Sequence, residues 1–206
     1  MAYDPRKHHR RSIRLRGYDY AGGGAYFMTI CVHNKECLLG RVVEGQMVLS
    51  DAGQTVQRVW LSLTQRLPAV VLDAFQIMPN HLHGVFVIPG PGLEPSLAAA
   101  TGAPVVPPYP NRNKGTASRA PTNRRVAMGD VVGAFKSIAT IQVNRLLSRT
   151  GTRLLQENFF EHIIRNVDSL GKILAYISEN PARWLEDPEN PDRPLGNPGD
   201  PQLPWL

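Results

Sequence analysis

Cysteine is scarce in this chain of 206 residues: Cys31 and Cys37 are the only two. They form neither a Cys-x-x-Cys pair nor a disulfide framework, so a reduced, intracellular protein is expected. Long apolar runs are missing as well. None approaches the roughly 18 residues that span a bilayer, and the charged N-terminus has no apolar stretch behind it to act as a secretory signal. The expected location is the cytoplasm, with no membrane partner. There is no internal repeat, no Gly-x-Gly-x-x-Gly and no Walker loop, which leaves nucleotide hydrolysis without support.

What is present describes one globular unit with appendages. The hydrophobic fraction of 42% and the charged fraction of 19% exclude a wholly disordered chain. Eighteen prolines and eighteen glycines are too many for uniform packing, so some segments must be loop or tail. Lys+Arg 23 against Asp+Glu 17 gives +6 and a pI near 9.6, a balance compatible with a polyanionic partner. Much of that charge is local. Arg6, Lys7, Arg10, Arg11, Arg14 and Arg16 lie in a basic arm over 1–24, which is either a solvated tail or a set of phosphate contacts. A Pro/Gly/Ala-rich basic loop over 90–125, ending in Arg124 and Arg125, reads as a linker. Residues 185–206 read as a Pro-rich acidic tail that packs poorly, leaving a single domain over 25–184.

Periodicity orders the elements. Residues 25–32 form an aromatic, β-branched strand after a glycine breaker, and 38–49 form a hairpin around Glu44-Gly45. Ser50 or Asp51 caps a helix to about Leu67, closed by Pro68. Strands at 70–78 and 81–88 follow. Asp130 caps a helix to about Leu147, with Val131, Ala134, Phe135, Ile138, Ile141 and Leu146 on its inner face. The last strand lies within 154–164. Asp168 or Ser169 caps a final helix, with Leu170, Ile173, Leu174 and Ile177 inward, ending at Asn180-Pro181. Strand, helix, strand, strand, helix, strand is the split βαβ order. The expected fold is α+β: a ferredoxin-like antiparallel sheet with helices on one face, plus a C-terminal helix.

The chemistry centres on Met78-Pro79-Asn80-His81-Leu82-His83-Gly84. Alternation along a strand sends His81 and His83 to one face and Leu82 to the other. Two imidazoles on one face make half of a divalent-metal site, and Gly84 suggests room above the pair. Tyr176 and Asn180, four apart on the last helix, share a face. An amide oxygen beside two imidazoles makes a mixed N/O set suited to Mg²⁺ or Mn²⁺, although imidazole alone also accepts zinc. A phenol there is a weak nucleophile, with an ordinary pKa near 10, that a nearby cation activates. The plainer alternatives are a half-buried helix tyrosine and an ordinary C-cap.

Four motifs in this order carry a resemblance: Met78–Gly84, Ala134-Phe135-Lys136-Ser137, Glu161-His162-Ile163-Ile164-Arg165-Asn166 and Tyr176-Ile177-Ser178-Glu179-Asn180-Pro181. Together with Arg10–Tyr20, the chain over roughly 4–184 resembles the REP-associated tyrosine transposases, relatives of insertion-sequence transposases in the HUH single-tyrosine nuclease superfamily. The resemblance implies that His81, His83 and Asn180 are metal ligands. It implies that Tyr176 attacks a phosphodiester of single-stranded DNA, leaving a 3′-hydroxyl and a 5′-phosphotyrosine link beside a hairpin-forming repeat. Lys136 would contact phosphate, Glu161 and His162 would support the site or pack, and the protein would be a monomer or a homodimer. One segment departs: where relatives often carry a Trp-Gln-Arg-Asn-Tyr-Tyr-like run, this chain has Leu155-Gln156-Glu157-Asn158-Phe159-Phe160. A rival reading is a non-catalytic nucleic-acid-binding module, because split βαβ sheets also host RNA binders that display aromatics on the sheet face. A second rival is a hydrolase in which the His pair activates water.

Overall fold

The strand that follows the glycine breaker, β1 (Gly24–Cys31), lies inside a four-stranded antiparallel sheet ordered β4 (Val71–Ile77), β5 (His81–Ile88), β1, β6 (Phe160–Ile164). A two-stranded hairpin, β2 (Gly40–Val43) and β3 (Gln46–Leu49), stands apart and turns at Glu44-Gly45, both at positive φ (50° and 74°) as a tight two-residue turn requires. The computed structural model describes residues 17–102 and 125–193. Among these residues no helix is long and apolar enough to cross a membrane.

All eight residues of β5 are buried, because helices cover both faces of the sheet. On one face, Tyr26, Met28, Ile30, Leu82 and Phe86 meet Val56, Val59 and Trp60 of α1 (Asp51–Leu61) and Val131, Phe135 and Ala139 of α4 (Met128–Leu146). On the other, Ala25, Phe27, Val85 and Val87 meet Leu170, Ile173 and Ile177 of α5 (Val167–Glu179). Period-two alternation along β1 and β5 produces the two cores directly. Gly84 faces the first core rather than opening space above the histidines. A Cβ there would sit 2.7 Å from the Trp60 indole.

Several boundaries differ from expectation, each for a local reason. The helix capped by Ser50 stops at Leu61, where the Ser62 hydroxyl donates to the Val59 carbonyl, and α2 (Leu63–Arg66) follows as a separate turn. Part of the expected linker is helical: α3 (Pro95–Thr101) starts on proline and buries Leu97 and Ala98 in the second core. Asp130 is not the cap of α4 but reaches back one turn to accept from the Ala127 N–H at 2.9 Å. Ile141 and Leu146 are exposed, the buried stripe running instead through Ala139 and Val143. Asn166 caps α5, accepting from the Ser169 N–H at 2.8 Å. Finally, the segment 185–193 is not loose throughout. Asp187 and Asn190 are buried, and Asn190 donates to the Trp184 carbonyl at 3.0 Å.

Candidate metal centre and nucleophile

A tight turn, closed by Met78 N–H donating to the His81 carbonyl at 2.8 Å, delivers the chain into β5. The two histidines then emerge on the α5 face, and their Nε2 atoms stand 3.0 Å apart. Each ring is held from behind. Asn80 Oδ1 lies 2.9 Å from His81 Nδ1, and Thr29 Oγ1, directly across on β1, lies 2.8 Å from His83 Nδ1. Partners of this kind orient metal-binding imidazoles, here with both Nε2 atoms turned toward the space between the rings.

Burial governs the charge of the cluster. Both histidines are almost wholly inaccessible. Burial, then His83 and Lys35, lowers the pKa of His81 well below the ordinary range, and burial lowers His83 to about 3. Both rings are therefore neutral at pH 7. Asp187 Oδ2 lies 3.7 Å from His81 Nε2, and burial is the largest influence raising its pKa to about 6. The three ligand atoms lie within 4.8 Å of one another. Two neutral imidazoles and a buried carboxylate form a lone-pair-rich, proton-poor cluster, and that donor set fits a divalent cation. Asn180 is also buried, and among the described residues its Nδ2 has no hydrogen-bond partner.

The tyrosine arrives by chain reversal. β6 runs antiparallel to β1, the chain turns at Arg165-Asn166, and α5 returns along the sheet toward the histidine end. Tyr176, near the end of that helix, has its ring 5.2 Å from the His83 ring at 67° and 6.2 Å from Phe27. Burial raises its pKa, Asp187 and Glu189 add to the rise, and the Asn180 side chain acts the other way. The free protein thus holds a protonated phenol beside neutral imidazoles.

The remaining sequence candidates are distributed differently. Glu161 is buried on the opposite face of the sheet and accepts from the Tyr20 hydroxyl at 2.5 Å. His162 pairs across from Phe27 on β6, its pKa lowered by burial and by Arg165. The Lys136 ammonium donates to the Gln156 and Glu157 carbonyls and sits 5.7 Å from the Phe159 ring. Arg125 is exposed, whereas Arg6, Lys7, Arg10, Arg11, Arg14, Arg16 and Arg124 lie outside the described residues. Sequence reasoning missed Asp187 and Thr29. Cross-strand pairing with His83 would have flagged Thr29, but nothing in the Pro/Asp/Glu-rich composition around Asp187 singles it out.

No protein-family model matches the chain. An uncharacterized protein of Haemophilus influenzae is 38% identical over 189 residues, covering 90% of this chain and 95% of that one. The chain belongs to that protein's family. Among solved structures, a REP-associated tyrosine transposase bound to a REP hairpin is similar with a TM-score of 0.52 and 17% identity, covering 84% of this chain and 74% of that one. At that identity the likeness is one of fold: the mixed α/β arrangement around a four-stranded antiparallel sheet.

Proposed function

We propose that the protein is a divalent-cation-dependent endonuclease and strand transferase of single-stranded DNA, a transposase, with Tyr176 as its nucleophile. One observation carries this reading: the Tyr176 ring stands 5.2 Å from His83, at the place where two imidazoles and a carboxylate converge. The strand order β4-β5-β1-β6 suits a split βαβ, ferredoxin-like plan, and the similar fold of a REP-associated tyrosine transposase supports the same reading.

In the reaction, Tyr176 Oη attacks the phosphorus of a phosphodiester. A bond forms between that oxygen and phosphorus, the bond to the 3′-oxygen breaks, and the 5′ end remains attached to the tyrosine. The phenol gives up its proton and the departing 3′-oxygen gains one, becoming a hydroxyl. Attack by another 3′-hydroxyl reverses the step and joins strands without ATP, because the phosphotyrosine bond conserves the energy. His81, His83 and an oxygen of Asp187 or Asn180 would hold Mg²⁺ or Mn²⁺, which supplies Lewis-acid polarisation of the phosphate and electrostatic stabilisation of phenolate. Burial keeps the phenol protonated in the free protein. Hairpin-forming repeats are the substrate class, and the basic arm with Arg124 and Arg125 contacts backbone phosphates in a salt-sensitive way. The protein works in the cytoplasm as a monomer or homodimer.

The non-catalytic binding module needs aromatics displayed on the sheet, but Tyr26, Phe27 and Phe86 are fully buried under helices. Incubation with single-stranded hairpin DNA and Mg²⁺ or Mn²⁺ tests the proposal. A denaturant-resistant protein–DNA adduct is expected from the wild type. Tyr176→Phe should form none while still binding DNA, and His81→Ala should lose cation-dependent cleavage. An adduct that survives Tyr176→Phe rejects the assignment.

A further inference from the structure

Asn80 is 1% exposed and makes three hydrogen bonds through one amide. Its Nδ2 donates to the Lys35 carbonyl at 3.1 Å and to the Glu189 carbonyl at 2.6 Å. Carbonyl oxygens cannot donate, so the amide cannot be turned over without setting its own oxygen against two others. Oδ1 is therefore the atom that faces His81 Nδ1 at 2.9 Å, and that ring nitrogen must carry the hydrogen. The Nε2 of a neutral His81 is then a bare lone pair. Its neighbour at 3.0 Å, His83 Nε2, must be the donor between them, because two facing lone pairs repel. His83 Nδ1 is left as an acceptor, which the Thr29 hydroxyl at 2.8 Å satisfies.

We propose that Asn80 is the positioning residue of this site, fixing a one-way hydrogen-bond chain that runs Thr29 to His83 to His81 to Asn80 in the free protein. The chain presents the lone pair of His81 permanently and holds that of His83 in reserve. Engaging both Nε2 atoms requires one change only. His83 gives up its Nε2 proton and takes one up at Nδ1, Thr29 turns from donor to acceptor, and the number of bound protons is unchanged. His81 does not move, because Asn80 is anchored to two backbone segments, one before the site and one after it. The consequence for cation binding rests on the reading of His81 and His83 as ligands, whereas the order of the protons belongs to the free protein.

Long-range ¹H–¹⁵N spectra of the metal-free, DNA-free protein test the order directly. The expected result is His81 protonated at Nδ1, the minor form in free imidazoles, and His83 protonated at Nε2. Saturation with Zn²⁺ alone, a diamagnetic probe, should move the His83 proton to Nδ1 and leave that of His81 in place. Asn80→Ala should mix the His81 tautomers and weaken Zn²⁺ by about 10–100-fold. Thr29→Val, which leaves Asn80 untouched, should alter only the His83 signals and serves if Asn80→Ala does not fold. A wild-type His81 protonated at Nε2, or an Asn80→Ala protein with unchanged tautomers and Zn²⁺ affinity, overturns the proposal. Because no DNA is present, either result leaves the Tyr176 adduct experiment to be judged on its own.

Discussion

Replacing Asp187 with asparagine separates a cation ligand from a residue that merely packs. Asn keeps an oxygen for the Glu189 N–H, which donates to Asp187 Oδ1 at 2.7 Å, but it cannot ionise. Burial, the largest influence, raises the Asp187 pKa from 3.8 to about 6 in the folded protein. A carboxyl raised on folding favours the folded state while it is protonated. That contribution is complete below the unfolded value near 3.8 and is lost as the pH climbs through about 6. Two pKa units at about 1.36 kcal/mol each give a loss of roughly 3 kcal/mol by pH 7.5. Without cation, Asp187→Asn should therefore be more stable than the wild type at pH 7.5 by about 1–3 kcal/mol, and the difference should vanish near pH 4. Urea unfolding at pH 4 to 8, with and without Mn²⁺, measures this. Added Mn²⁺ should stabilise the wild type and do far less for the variant, since only binding to the folded state contributes. A variant less stable than the wild type at pH 7.5 without cation, or equal stabilisation of both proteins by Mn²⁺, would refute a ligand role for Asp187.

Three further substitutions probe how the fold holds the site. Gly84→Ala drives a methyl against the Trp60 indole at 2.7 Å, so chemical denaturation should show a loss of about 1–3 kcal/mol. Asn166→Ala removes the cap of the helix that carries Tyr176. It should cost about 1 kcal/mol and speed amide exchange in the first turn of α5. Lys136→Met removes the ammonium donor to the half-buried Gln156 carbonyl and the exposed Glu157 carbonyl, so a stability loss of about 0.5–1.5 kcal/mol should appear in unfolding.

The sequence disclosed the parts whose signal is periodic. Alternation around Leu82 placed both histidines on one face, and the Leu170, Ile173, Ile177 stripe identified the helix bearing Tyr176, because burial of one face imposes a period. Capping was read one turn late at both long helices: Asp130 reaches backward from inside α4, and Asn166 lies just before the residues that resembled a start. The second half of the site had no periodic signal at all. Asp187 is carried by a short turn after Pro181, in a stretch whose composition resembles a tail, and only tertiary contact buries it. Asn80 resembled an ordinary turn residue. Its partners, Lys35 and Glu189, lie 45 and 109 positions away, beyond the reach of local pattern.

The central claim is that the phenol of Tyr176 is the group that becomes bonded to DNA. Tandem mass spectrometry of a nuclease-trimmed, trypsin-digested adduct tests it most directly, because the peptide Ile173–Arg183 contains a single tyrosine. A nucleotide mass located on residue 176 is the predicted result. A nucleotide located on any other side chain, or a cleaved hairpin with no protein attached, would contradict the account.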